Sequence, residues 1–410
     1  MTAPSQNPPP TQAAIAFLVA TAFINSMGLG LIVPVMPELL LELTGGDLAD
    51  ASLWGGVALV SYAVMQFVFS PIVGALSDQM GRRPILLVSL IAYALDMLLL
   101  ALVQTLPWFL VIRAFAGIFA STFSTAGAYV ADITPPEGRA QRFALLGAAF
   151  GGGFILGPAI GGFLGDIHLR LPFIAGAVTA GLNALFGVLF VRESLPPSRR
   201  RRFAWKRANT FGTLAILFRT PGVGSLIPVY FLATLATWVY PTVWAYVAKA
   251  KFEWTEWEIG LSVAYYGVMA FVSQAALIRF MLPRLGVRRA IYLTLLVQAL
   301  AMTGVGLATA GWFVYAMVTA SLITAMMDPA IREAMSARVP EDAQGELQGG
   351  LSALTSVAMI LAPVVYNGAF SLSAGESPLL HLPGLPFVLA AVMSALALMF
   401  YARRERRSSS

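Results

Sequence analysis

Twelve apolar stretches follow one another along the chain, at roughly 14–37, 53–76, 84–103, 108–131, 143–165, 171–191, 221–247, 257–281, 289–310, 312–336, 347–370 and 383–402. Each is long enough to cross a hydrocarbon layer of about 30 Å as a helix rising about 1.5 Å per residue. The pattern therefore predicts twelve transmembrane helices, with 11 or 13 as the alternative counts. The seventh is the least regular, because Pro221, Pro228 and Pro241 interrupt it. The longest polar segment, 192–218, divides the stretches six and six. That division predicts an all-α integral membrane protein of two six-helix repeats. The bundles span 14–191 and 219–402, with a disordered tail over 1–13, a basic linker over 192–218 and a short tail over 403–410. Repeats joined in this way are a common transporter plan, with the substrate site expected at the repeat interface near the midplane.

Composition narrows the class. Of 410 residues, 58% are hydrophobic and 11% charged, against about a quarter charged in soluble domains. With a mean hydropathy of +0.77, a soluble enzyme, a nucleic-acid-binding domain and a coiled coil are excluded. The bilayer is the expected environment and nucleic acid is not an expected partner. There are no cysteines, so disulfides, thiolate metal sites and thiol nucleophiles are ruled out. Neither a phosphate-binding G-x-x-x-x-G-K-[ST] loop nor H-E-x-x-H occurs. No cofactor, metal or enzymatic activity is expected, and the energy source left for transport is an ion gradient, most simply of protons.

Charge position sets the orientation. The chain carries a formal +6, and its Lys and Arg residues gather in alternate loops. One set holds Arg82 and Arg83; Arg139 and Arg142; Arg192, Arg199 to Arg202, Lys206, Arg207 and Arg219; and Arg279, Arg284, Arg288 and Arg289. Arg332 and Arg338 flank the tenth stretch, and Arg403, Arg404, Arg406 and Arg407 close the chain. The opposite loops hold only Arg170, Lys249 and Lys251, and the first is acidic, with Glu38, Glu42, Asp47 and Asp50. Positive loops face the cytoplasm. Both termini are thus expected inside, in a multi-pass protein of the cell inner membrane with no cleavable signal peptide. The run at 199–202 is expected to lie on anionic headgroups.

Three motifs carry chemistry. Gly74-Ala-Leu-Ser-Asp78-Gln-Met-Gly81-Arg82-Arg83-Pro84 joins the second and third helices. Its glycines allow a tight turn, and Asp78 with the arginines supplies an ion-pair latch. A degenerate echo, Leu285-Gly286-Val287-Arg288-Arg289, falls where an internal repeat would put it. In the fourth helix, Arg113-Ala-Phe-Ala-Gly117 places an arginine among apolar residues, a costly choice that points to function. In the fifth, Gly153, Gly157, Pro158, Gly161 and Gly162 make a small-residue stripe with a hinge proline.

These motifs resemble the loop signature, the fourth-helix R-x-x-x-G and the fifth-helix G-x-x-x-G-P-x-x-G-G of the major facilitator superfamily's drug/proton antiporters. Finer resemblance points to the tetracycline/proton antiporters. It lies in Met27-Gly-Leu-Gly-Leu-Ile-Val-Pro34-Val-Met-Pro37, Tyr129-Val-Ala-Asp132-Ile-Thr134 and Gln344-Gly-Glu-Leu-Gln348-Gly349. The resemblance implies gating by Asp78, Arg82 and Arg83, a proton-transfer role for Arg113 and a hinge at Gly157 and Pro158. Asp132 is read as the latch's partner. Three positions depart from the tetracycline pattern: Asn25 stands where an aspartate is frequent, Ala270 for a histidine and Gln298 for an aspartate. The third-helix aspartate is kept, as Asp96.

Carboxyl groups inside apolar spans are natural proton carriers. Asp96 and Asp328 are the candidates; for Asp328 the alternative is an i,i+4 ion pair with Arg332, which would remove that role. The cavity wall is expected from Asn25, Gln66, Tyr230, Trp238, Tyr265 and Gln274, with Tyr240, Trp244 and Tyr266 as further aromatics able to stack on planar or cationic drugs. His168 and His381 fall in outer loops and are expected at the surface. The function expected is proton-coupled export of amphiphilic drugs, tetracycline-like or broader, by a monomer cycling through alternating access. The alternatives are a proton-coupled metabolite or lipid carrier, or a non-transporting sensor on the same fold.

Because the chain lacks cysteine, topology is directly testable. A cysteine replacing Ser198 should react with a membrane-impermeant maleimide only in inverted vesicles. One replacing Gly46 should react only in intact cells.

Overall fold

The computed structural model describes residues 12–203, 218, 223–340, 343–375 and 381–409. Residues 1–11 of the predicted 1–13 tail, most of the linker (204–217, with Lys206 and Arg207), Arg219 and Pro221 lie outside the described residues, and residues 12–13 already belong to the first helix. Among the described residues, all regular secondary structure is helical. The first half comprises α1 (Gln12–Thr44), α2 (Leu48–Met80), α3 (Arg82–Leu102), α4 (Leu106–Ile118), α5 (Thr122–Ile133), α6 (Pro136–Ile167) and α7 (Leu171–Phe190). The second comprises α8 (Ile227–Thr237), α9 (Val239–Phe252), α10 (Glu256–Val272), α11 (Ile278–Leu307), α12 (Gly311–Ala320), α13 (Met327–Ser336), α14 (Gln344–Ala374) and α15 (Leu385–Ser409).

Eleven of the resulting helical segments are long and apolar enough to cross a bilayer. The twelfth begins as α10, runs through a wide turn at Ser273–Leu277 and continues into the first part of α11. Gly286, with φ 72°, ends it there and separates the eighth span from the ninth. Twelve spans result among the described residues. Several overrun their apolar cores: α1 and α2 have 33 residues each, or about 50 Å at 1.5 Å per residue. Hydropathy marks only the lipid-facing middle, whereas the helical hydrogen-bond ladder continues into the polar margin.

Three spans are broken midway. The fourth divides into α4 and α5 around Phe119–Ser121, the seventh at Trp238, and the tenth passes through a tighter helix at Ser321–Met326. The fourth and tenth occupy equivalent places in the two halves.

The packing forms two compact units. Among described residues, the first holds 12–35, 64–203 and 256–264, and the second the remainder, including 36–63. The units thus differ from the two sequence halves by these short pieces. On some helices the inward side is mostly small or polar and the outward side large and apolar. On α7, Gly176, Ala180, Asn183 and Gly187 are buried, while Ile174, Val178, Leu182, Leu185 and Leu189 are exposed. This suits lipid, where apolar surface gives no drive for helices to associate and close packing of small residues does. Asn183 donates across to Thr21 Oγ1 at 2.8 Å. In the second unit, Tyr230, Leu295, Ile331, Leu351, Ala397 and Tyr401 share one core.

The glycine stripe of α6 is a backbone contact with α1. A Cβ on Gly153, Gly157 or Gly161 would strike the carbonyl oxygens of Phe23, Met27 and Leu31, one turn apart along α1. Gly30 faces Pro158 from the other side. On a second face of α6, Gly162 meets the backbone of Glu256, and Gly260 the carbonyl of Pro158. Gly157→Ala should therefore cost about 1–3 kcal/mol by overpacking, read as a lower unfolding midpoint. Gly147→Ala on the same helix, with nothing within 4 Å of the added carbon, should leave the midpoint unchanged.

Candidate functional site

The turn between α2 and α3 is set by Gly81, whose φ of 111° disfavours any side chain. It delivers Arg82 to the first turn of α3. The guanidinium pairs with Asp78 at 2.6 Å and Asp132 of α5 at 3.2 Å, and donates to Ser77 Oγ at 2.5 Å. Arg83 takes a separate partner, the Val188 carbonyl at 2.7 Å. The structure thus brings Asp78, Arg82 and Asp132 together and leaves the Arg83 side chain outside their ion-pair cluster.

Sequence reasoning missed the anchor of this turn. Glu193 Oε1 accepts the backbone N–H groups of Arg82 at 2.8 Å, Ser194 at 3.0 Å and Leu195 at 2.9 Å, and Oε2 that of Arg83 at 3.2 Å. A carboxylate at a helix N-terminus satisfies orphan donors and complements the dipole. Ser194 Oγ donates to Asp132 at 3.2 Å, and the Arg201 N–H reaches the Asp78 carbonyl at 3.0 Å. The signal was available: Glu193 is the only acidic residue in 192–218. The echo motif is built alike. Gly286 also has positive φ, and Arg288 pairs with Glu405 at 2.9 Å.

Deeper in the first unit, Asp96 of α3 accepts a hydrogen bond from Arg113 Nη2 of α4, and the two form a buried ion pair. Asp96 is 2% exposed and Arg113 8%. The contact runs through one carboxylate oxygen, and Arg113 Nε is buried without a partner. Such a pair holds two charges in the membrane interior with part of its hydrogen-bonding capacity unused.

The second unit holds a network around Tyr230. Its hydroxyl donates to Asp328 at 3.0 Å, accepts from Arg332 Nη2 at 2.6 Å and lies 3.1 Å from Thr355 Oγ1. Arg332 Nε reaches both Asp328 oxygens at 2.9 Å, and Nη1 donates to Gln348 at 2.8 Å. The expectation of Asp328 as a desolvated carboxyl is corrected: its side chain is 51% exposed and paired with Arg332. The i,i+4 spacing at the start of α13 makes that pair the local outcome. Gln344 ties the next turn, bonding the Ser336 and Val339 carbonyls at 3.0 and 2.9 Å.

The predicted wall residues are dispersed. Asn25 and Gln66 are half-buried in the first unit, and Gln66 Oε1 has no partner. Trp238 sits at the break between α8 and α9. Tyr265 bonds Thr319 at 2.6 Å and packs edge-on to Tyr315. Gln274 lies in the wide turn after α10 and is exposed. His168 and His381 are exposed as well.

A chain of apolar spans carrying a buried ion pair and an ion-pair cluster at a basic turn has the build of a multi-pass membrane transporter. It belongs to the Major Facilitator Superfamily, whose family model matches residues 18–363 and 226–410. It is 36% identical to the tetracycline resistance protein, class C, of Escherichia coli over 88% of this chain and 90% of that one. It is 28% identical to multidrug resistance protein 2 of Bacillus subtilis over 87% and 88%. In fold it is similar to a bacterial homologue of the human lysosomal transporter Spinster, with TM-score 0.76 at 16% identity and 95% of each chain covered.

Glu193→Ala should destabilise the folded chain by about 1–3 kcal/mol, the cost of buried donors left unsatisfied, in a detergent unfolding titration. Glu193→Gln, which keeps one acceptor oxygen, should recover part of the loss.

Proposed function

We propose that this chain is a proton-coupled exporter of amphiphilic drugs, tetracycline-like or broader, acting as a monomer in the cell inner membrane with both termini cytoplasmic. Kinship with tetracycline and multidrug resistance proteins supports the drug class. The observation that carries proton coupling is the buried Asp96–Arg113 pair.

Asp96 is the proton-carrying carboxyl in this reading. Protonating it cancels its attraction for Arg113, and deprotonation restores the pair. Breaking a buried pair leaves the remaining charge unpaired, at a cost of about 3–5 kcal/mol. Proton binding is thereby tied to rearrangement of α3 against α4, the two helices that carry the pair. Arg332 holds Asp328 in a second polar cluster, where Asp328 and Tyr230 serve substrate contact more readily than proton storage.

The turn at Gly81 acts as the gate. Arg82, Asp78 and Asp132 tie α2, α3 and α5 in the state seen here, and the alternating-access cycle requires the tie to loosen. Gly157 and Pro158 allow α6 to slide on α1, because backbone-to-backbone contact carries no side chains that must repack. Asn25, Gln66, Trp238, Tyr265 and Gln274 remain proposed substrate contacts.

In proteoliposomes carrying a pH gradient, adding tetracycline or a cationic dye should drive proton movement through the wild-type protein. Asp96→Asn should reduce that flux at least about tenfold, equivalent to about 1.4 kcal/mol, at unchanged expression. Unaltered flux would transfer the proton role away from Asp96, and no flux with any drug would end the exporter reading.

A further inference from the structure

A small cavity inside the second unit is lined by Thr237, Tyr240, Tyr266, Gln298, Ser321 and Thr324. Gln298 is 3% exposed and its Oε1 has no hydrogen-bond partner. A buried acceptor left empty is unusual and calls for an explanation.

The lining has a marked chemical bias. The Thr237 hydroxyl donates to the Ala233 carbonyl at 3.0 Å. Ser321 donates to Val318 at 2.8 Å, and Thr324 to Ser321 at 2.6 Å. Gln298 Nε2 is committed to Thr237 Oγ1 at 2.9 Å and the Ala233 carbonyl at 3.4 Å. These four residues have spent their donors on the protein, and the capacity they retain is that of acceptors. Tyr240 and Tyr266, whose rings stack at 4.9 Å, form another side.

Two helix ends add to the bias. α8 ends at Thr237, and α12 ends at Ala320, immediately before Ser321. Both are C-termini, where the helix dipole places partial negative charge and favours cations, while the N-terminus of α9 at Val239 opposes the first of them. Aromatic faces favour cations too.

We propose that this cavity is a subsite for the protonated primary amine of a transported amphiphile. An ammonium group is about the size of a water, carries three donors and no acceptor, and so matches a ring of acceptors. A water would take its donors from the Tyr240 and Tyr266 hydroxyls alone, whereas an ammonium needs none and can use every acceptor. A quaternary ammonium has charge but no N–H, and is too large. Gln298 is the residue that sets this specificity. The proposal rests on the exporter reading and names its ligand chemistry.

The test uses purified full-length protein in nonionic detergent, titrated with octylammonium or octyltrimethylammonium chloride and followed by tryptophan fluorescence. Octylammonium should bind the wild type at least about tenfold tighter than the quaternary probe, the worth of one charge-assisted hydrogen bond. Gln298→Leu should erase that preference without weakening the quaternary probe, and Thr324→Val should reduce it. If Gln298→Leu does not fold, Gln298→Met and Ser321→Ala provide the same reading. Equal binding of the two probes by the wild type, or an unchanged preference in the variants, would overturn the proposal. So would a response to sodium chloride absent with choline chloride, which would assign the cavity to a metal ion. Because the assay reads binding alone, its failure is separable from failure of drug-driven proton flux.

Discussion

Hydrocarbon offers no hydrogen-bond partner to a peptide group, and that one constraint shapes this molecule. Every span is a helix because only a helix satisfies its own backbone. With the apolar effect cancelled between helix and lipid, association depends on close approach, and glycine is the residue that permits it. The contact of Gly153, Gly157 and Gly161 with the α1 carbonyls is the most direct expression of this constraint. It holds helices together without interlocking side chains, which suits a protein whose helices must shift.

The same constraint explains where the charges are. Charged side chains within the spans are paired: Asp96 with Arg113, and Asp328 with Tyr230 and Arg332. Those at the basic turn form a third cluster, organised by Glu193. The clusters differ in burial, and burial decides what each can do. A sealed pair such as Asp96–Arg113 is costly to separate, whereas an exposed pair such as Asp328–Arg332 is screened by solvent.

The halves also repeat their irregularities. Positive-φ glycines at 81 and 286 open the third and ninth spans, each beside an arginine bonded to a glutamate from the end of its half. The fourth and tenth spans break midway. Helix breaks leave backbone groups and dipole ends exposed inside the bundle, and one pair of them borders the cavity at Gln298.

Length, hydropathy and loop charge by themselves determined the helical class, the number of spans and the basic turns, since these follow from the local cost of placing each residue in lipid. Motif spacing pointed to Asp78, Arg82, Arg113 and Gly157 because their neighbours in sequence carry the pattern. Tertiary structure alone decided the rest. Glu193 lies 111 residues from the turn it caps, Asp328 is exposed despite its apolar surroundings in sequence, and the acceptor bias around Gln298 arises from hydroxyls on two other spans. Burial and hydrogen-bond partnership are properties of how helices meet, and periodicity along one helix does not encode them.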